Sequence, residues 1–95
     1  MIWMVEKLKT RLCLREPWYD LDVPIHIEIE YQLEGDKIFS SSLSRKIHYN
    51  RPLLVKEAIS RSVADLDHLV NQEVQRAIEG HFYSRGYAFD GKDLE

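Results

Sequence analysis

Residues 25–34 read IHIEIEYQLE, and the fold turns on this stretch. Ile25, Ile27, Ile29, Tyr31 and Leu33 alternate with His26, Glu28, Glu30, Gln32 and Glu34. A period of two sends successive side chains to opposite faces of a strand, so one face is apolar and the other acidic. Isoleucine, valine and tyrosine also favour the pleated backbone. With Val23 the apolar row is unbroken, and a strand over 23–34 is expected to form the middle of the core. The acidic row is either a docking surface (Glu28, Glu30, Glu34) or a ladder neutralised by its neighbours.

Working outward, Leu8, Thr10, Leu12 and Leu14 fall on one side of residues 5–15, and Lys7, Lys9, Arg11, Cys13 and Arg15 on the other. That is a second half-buried strand. PWYDLDVP at 17–24 reads as a turn, with Asp20 and Asp22 as turn formers. EGDK at 34–37 is a hairpin turn, and 38–49 a third strand. If Phe39, Leu43, Ile47 and Tyr49 of that strand face inward, Arg45 does too, at a cost unless it is paired. A β-bulge within 40–42, or a place for Arg45 at the sheet margin, removes the conflict.

Charge then orders the strands. Residues 1–15 set four basic side chains against Glu6, 16–36 hold seven acids and no lysine or arginine, and 37–52 hold four bases and no acid. Opposite charges across neighbouring strands contribute roughly 0.2–1 kcal/mol per pair, and like charges oppose pairing. A meander in the order 1-2-3, with the acidic strand central, satisfies this pattern and makes the balanced ladder the preferred reading of the glutamates.

The period changes after Tyr49. Asn50 can cap a helix and Pro52 suits its first turn. Val55, Ile59, Val63, Leu66, Val70, Val74 and Ile78 then recur at helical spacing. One helix over 52–85 is expected, closed by Gly86 in a left-handed cap with Tyr87 touching Phe82, and followed by a tail over 86–95. Such a helix is roughly 50 Å long and overhangs a ten-residue strand of roughly 33 Å. It either breaks, near Gly80, or packs its overhang on a second chain; the latter, or a mixture of the two, is preferred because the apolar stripe continues through Val74 and Ile78. The expected fold is therefore α+β: a three-stranded antiparallel meander with one long C-terminal amphipathic helix on one face, a single small domain over 1–95.

The 95 residues carry a net charge of −3, 44% hydrophobic and 31% charged side chains, an ordinary globular composition. The negative balance disfavours general nucleic-acid binding. Cys13 is the one cysteine, so no internal disulfide forms, and a reducing, cytoplasmic setting is expected. No apolar run approaches the roughly 20 residues that span a bilayer, and MIWMVEKLK is too short an apolar run for a signal peptide.

Catalytic and metal signatures are absent from the sequence. His26, His48, His68 and His81 show no ligand spacing with one another or with Cys13, and Cys13 with His26 would supply two ligands where zinc needs three or four. Asp20 and Asp22 lack the glycine and further oxygens of a calcium loop. No nucleophile elbow or phosphate-cradling glycine loop occurs. The expectation is a non-enzyme with no cofactor and no metal.

Interaction surfaces are the remaining candidates. Phe82, Tyr83, Arg85, Tyr87 and Phe89 crowd aromatics around an arginine, a mixture that interfaces favour, and Trp3 and Trp18 flank the first strand. The leading expectation is a protein-binding module, an accessory or inhibitor protein that occupies a partner's surface, acting as a homodimer because the helix overhangs and the sheet has two open edges. The alternatives are a nucleic-acid binder using Lys7, Lys9, Arg11, Arg15, Lys46 and Arg85, and a structural assembly subunit. No role is assigned to the last residues, Asp93, Leu94 and Glu95.

Overall fold

A computed structural model describes residues 1–15 and 20–89. Strands β1 (Ile2–Arg15), β2 (Asp20–Glu34) and β3 (Lys37–Tyr49) form an antiparallel meander with β2 between the other two. Helices α1 (Arg51–Ser60) and α2 (Leu66–Ser84) follow. The chain then returns to the sheet as β4 (Ala88–Phe89), parallel to the start of β3. The fold is α+β with the expected strand order, and β4 adds a short fourth strand in what was expected to be tail.

The strands are longer than expected. β1 starts at Ile2 because Ile2, Trp3, Met4 and Val5 continue the ladder opposite Leu33, Gln32, Tyr31 and Glu30. β2 starts at Asp20, so Asp20 and Asp22 lie in a strand instead of a turn. Pro24 is tolerated inside β2 because β3 ends at Tyr49 opposite Ile25, leaving β1 as the single neighbour at that point. Fourteen residues at about 3.3 Å each match the 48 Å long axis of the molecule.

Alternation in β2 builds the core as read. Val23, Ile25, Ile27, Ile29 and Tyr31 are all but inaccessible to solvent. Gly35 takes φ +61 at the first position of the two-residue loop to β3, the position a type II′ turn reserves for glycine. Past that turn, Ile38 faces the core and Phe39 pairs with Gln32 on the other face, the reverse of the assignment that put Phe39 inside. The reversal comes from a bulge: Gln32 pairs with Phe39 and Glu30 with Ser44, so residues 40–43 stand opposite Tyr31 alone. The Ser42 hydroxyl stitches the gap. It accepts from the Gln32 amide at 2.9 Å and donates to the Phe39 carbonyl at 2.6 Å. Beyond the bulge Leu43 and Ile47 pack on the core, and Arg45, on the same row, stays exposed.

The helical stretch is two helices, and the break falls at 61–65, not at Gly80. Asn50 caps α1 through its side chain, which accepts from the Leu53 amide. α1 ends in a Schellman motif: the Val63 amide donates to the Ala58 carbonyl at 2.9 Å and the Ser62 amide to Ile59 at 3.1 Å. Ser62 therefore occupies the left-handed position, φ 56, that glycine normally fills, and Asp65 is left-handed as well, φ 53, where α2 begins. α2 ends in the same way, with Tyr87 donating to Phe82, Gly86 to Tyr83, and Gly86 at φ +72, as expected. The break removes the overhang. Leu54 and Ala58 of α1 and Val70, Val74, Ile78 and Phe82 of α2 join one core over one sheet face. Arg51 locks the two helix starts together, reaching Asp67 at 2.8 Å and the Tyr49 hydroxyl at 2.9 Å.

Candidate functional site

The uncovered sheet face is organised in cross-strand rows. Lys7, Glu28 and Lys46 share one row; Lys9, His26 and His48 the next; Trp3, Gln32 and Phe39 lie at the turn end, beside Val5, Glu30 and Ser44. Lys7 approaches Glu28 at 3.9 Å and Arg11 approaches Asp22 at 3.7 Å, while Glu34 stands opposite Lys37. Glu28 and Glu34 are thus matched by basic neighbours, and Glu30 faces Val5 and Ser44. The acidic row is the middle rail of a charge-balanced ladder, and Lys7 and Arg11 are engaged in it.

The C-terminal aromatics do not form one surface. Phe82 is buried, edge-on to Tyr31 with ring centroids 4.9 Å apart, and Tyr87 packs against the core beside it. Arg85 is turned onto Glu6 at 3.2 Å. Among the described aromatics of this group, Tyr83 projects outward, 86% exposed. Trp18 lies outside the described residues, as do the side chain of Phe89 and the residues Asp93, Leu94 and Glu95. Trp3 is 58% exposed on the uncovered sheet face.

A polar cluster that the sequence reading missed sits where α2 crosses β1. Period two puts Glu6 on the inner row with Met4 and Leu8, and α2 supplies what a carboxylate there requires. The Tyr31 hydroxyl donates to Glu6 Oε2 at 2.9 Å, His81 Nε2 lies 2.6 Å from the same oxygen, and Arg85 approaches Oε1. Burial alone pushes the Glu6 carboxyl up, but the bonds to His81 and Tyr31 and the charges of His81 and Arg85 outweigh it and hold it below the ordinary carboxylate range. Burial first, then the bond to Glu6, pushes the Tyr31 phenol well above its usual range. Both carboxylate oxygens are occupied by these partners, so the arrangement is a clamp between helix and sheet. The signal in the sequence was an acid on a core-facing row, which demands partners.

Cys13 pairs in register with Asp22, not His26, and its thiol donates to Asp22 Oδ1 at 2.7 Å. Among the described residues no group of three or more His, Cys, Asp or Glu side chains is placed to hold a metal ion. No described helix is long and apolar enough to cross a membrane.

The most distinctive surface is the start of β1. Met1, Ile2, Trp3 and Val5 are 70%, 61%, 58% and 67% exposed, with half-buried Phe39 in the Trp3 row. Alternation sends Trp3 and Val5 to the uncovered face and Ile2 to the helix side, so this end of the strand is apolar on both faces. No family model matches the chain, and no curated protein or solved structure shows significant similarity to it.

Proposed function

We propose that the chain is a non-enzymatic protein-binding module that acts by laying the turn end of its uncovered sheet face against a partner protein. The carrying observation is the exposed pair Trp3 and Val5, flanked by Phe39, on a face whose other rows are mostly charged or polar. Large apolar side chains gathered at one place on a small domain are characteristic of interfaces, and tryptophan is a frequent anchor there. An accessory or inhibitor protein has this form: a small platform that binds by shape and apolar contact. The lone thiol suits a reducing, cytoplasmic setting.

The test is quantitative capture from host lysate with the double variant Trp3→Ser, Phe39→Ser and, separately, Tyr83→Ala. The double variant should lose the proteins that the parent retains, and Tyr83→Ala should keep them. Loss on Tyr83→Ala alone moves the site to the outer side of α2, and equal capture by all three removes the reading. A nucleic-acid reading draws less support, because Lys7 and Arg11 have acidic partners within the sheet.

A further inference from the structure

We infer that the outer edge of β1 pairs antiparallel with the same edge of a second copy, with Val5 on the two-fold axis. Among the described residues β1 has a neighbour on one side only. Its backbone N–H and C=O groups on the other side are a template for another strand, which proteins commonly guard with lysine. Lys7, Lys9 and Arg11 guard the second half of β1; residues 1–5, MIWMV, carry no charged side chain and are largely exposed.

The charges select both the occupant's register and its extent. A two-fold axis perpendicular to the sheet keeps outer-face residues opposite outer-face residues, so facing positions have a fixed, even sum. A sum of ten sets Met1 against Lys9, Trp3 against Lys7 and Val5 against Val5 on the uncovered face. On the helix side it sets Ile2 against Leu8 and Met4 against Glu6. No like-charged side chains meet, each Trp3 ring lies across from a lysine of the other copy, a favourable cation–π arrangement, and exposed Ile2 covers half-buried Leu8. Raising the sum to twelve brings Glu6 against Glu6; fourteen brings Lys7 against Lys7; sixteen, Lys7 against Lys9. Like charges directly opposite are destabilising. The register with Val5 on the axis is therefore the longest one free of repulsion. It joins two four-stranded sheets into one of eight strands, with all helices on one face and both Trp3 side chains on the other.

Both readings draw on Trp3 and Val5, but pairing is read by self-association of the pure chain and partner binding by capture with Trp3→Ser, Phe39→Ser, so the two fail separately. Sedimentation of the full chain should show a dimer. Val5→Lys sets lysine against lysine on the axis, beside Glu30 in its own sheet, and should weaken dimerisation roughly tenfold with an unchanged far-ultraviolet spectrum. Val5→Glu should do the same, and mixing the two variants should restore a heterodimer. In a Cys13→Ser background, Val5→Cys should form an intermolecular disulfide on mild oxidation and Lys9→Cys should not. A parent chain that sediments as a monomer, a dimer indifferent to Val5→Lys, or failure of the Val5→Cys crosslink overturns the inference.

Discussion

Glu6 shows how one side chain joins two elements that meet nowhere in the sequence. Its carboxylate gathers Tyr31 from β2, His81 from α2 and Arg85 at the α2 C-cap, so an amide in its place leaves one acceptor for the buried phenol but removes the charge that His81 and Arg85 face. Glu6→Gln should cost about 1–3 kcal/mol in urea unfolding near neutral pH. The folded-state carboxyl lies below its ordinary value of 4.5, so its stabilisation is fully present above that pH and is lost as pH falls through the lower folded value. The gap in stability between parent and variant should accordingly narrow as pH drops below 4.5; a gap independent of pH there contradicts the clamp. Alternation alone made Tyr31 a core residue and Glu6 an inner-row acid, but a strand pattern carries no information about which helix residue arrives above it. His81 and Arg85, four apart on one side of α2, become visible as partners only once the helix is laid along β1.

At the scale of elements, β2 was the most legible because every level agrees on it: period two, β-branched composition and charge placement. The single long helix was not, because the apolar spacing continues unbroken through Ile59, Val63 and Leu66 across the junction. What stops α1 is a backbone reversal that a serine accepts, where sequence reasoning looks for glycine. The conformation is costly there, so Ser62→Gly should stabilise the chain by about 0.5–1 kcal/mol. Gly80, the place for a break under one of the two expected alternatives, lies inside α2 with open space where a Cβ would point. Gly80→Ala should stabilise by a similar ~0.5–1 kcal/mol. Thermal melts of both variants check the helix boundaries directly; destabilisation by Gly80→Ala contradicts a continuous α2. In β3 the tract SSSLS holds the bulge that the register conflict around Arg45 called for, because a serine hydroxyl can replace the ladder bond that the extra residues interrupt.

The whole molecule is a charge-alternating sheet with helices on one side. Its strand order was readable from the sign of each segment, since only an acidic strand between two basic ones avoids like neighbours. Reversing the centre of that arrangement, Glu28→Lys, places three cationic side chains in the row Lys7, 28, Lys46. The expected loss is about 1–2 kcal/mol at low ionic strength, largely recovered in molar salt as screening shortens the reach of the charges. A salt-independent loss contradicts the ladder. The bulge bears on a different property, namely whether copies of this sheet add without limit. On the outer edge of β3, Lys37 and Ile38 are already paired with β4, residues 40–43 depart from regular geometry, and the remaining run carries Arg45 and Lys46. A molecule with two straight edges can add copies at both; among the described residues this one has a straight edge at β1 alone, so the pairing proposed through that edge closes at two copies and leaves no second edge from which a fibre would grow.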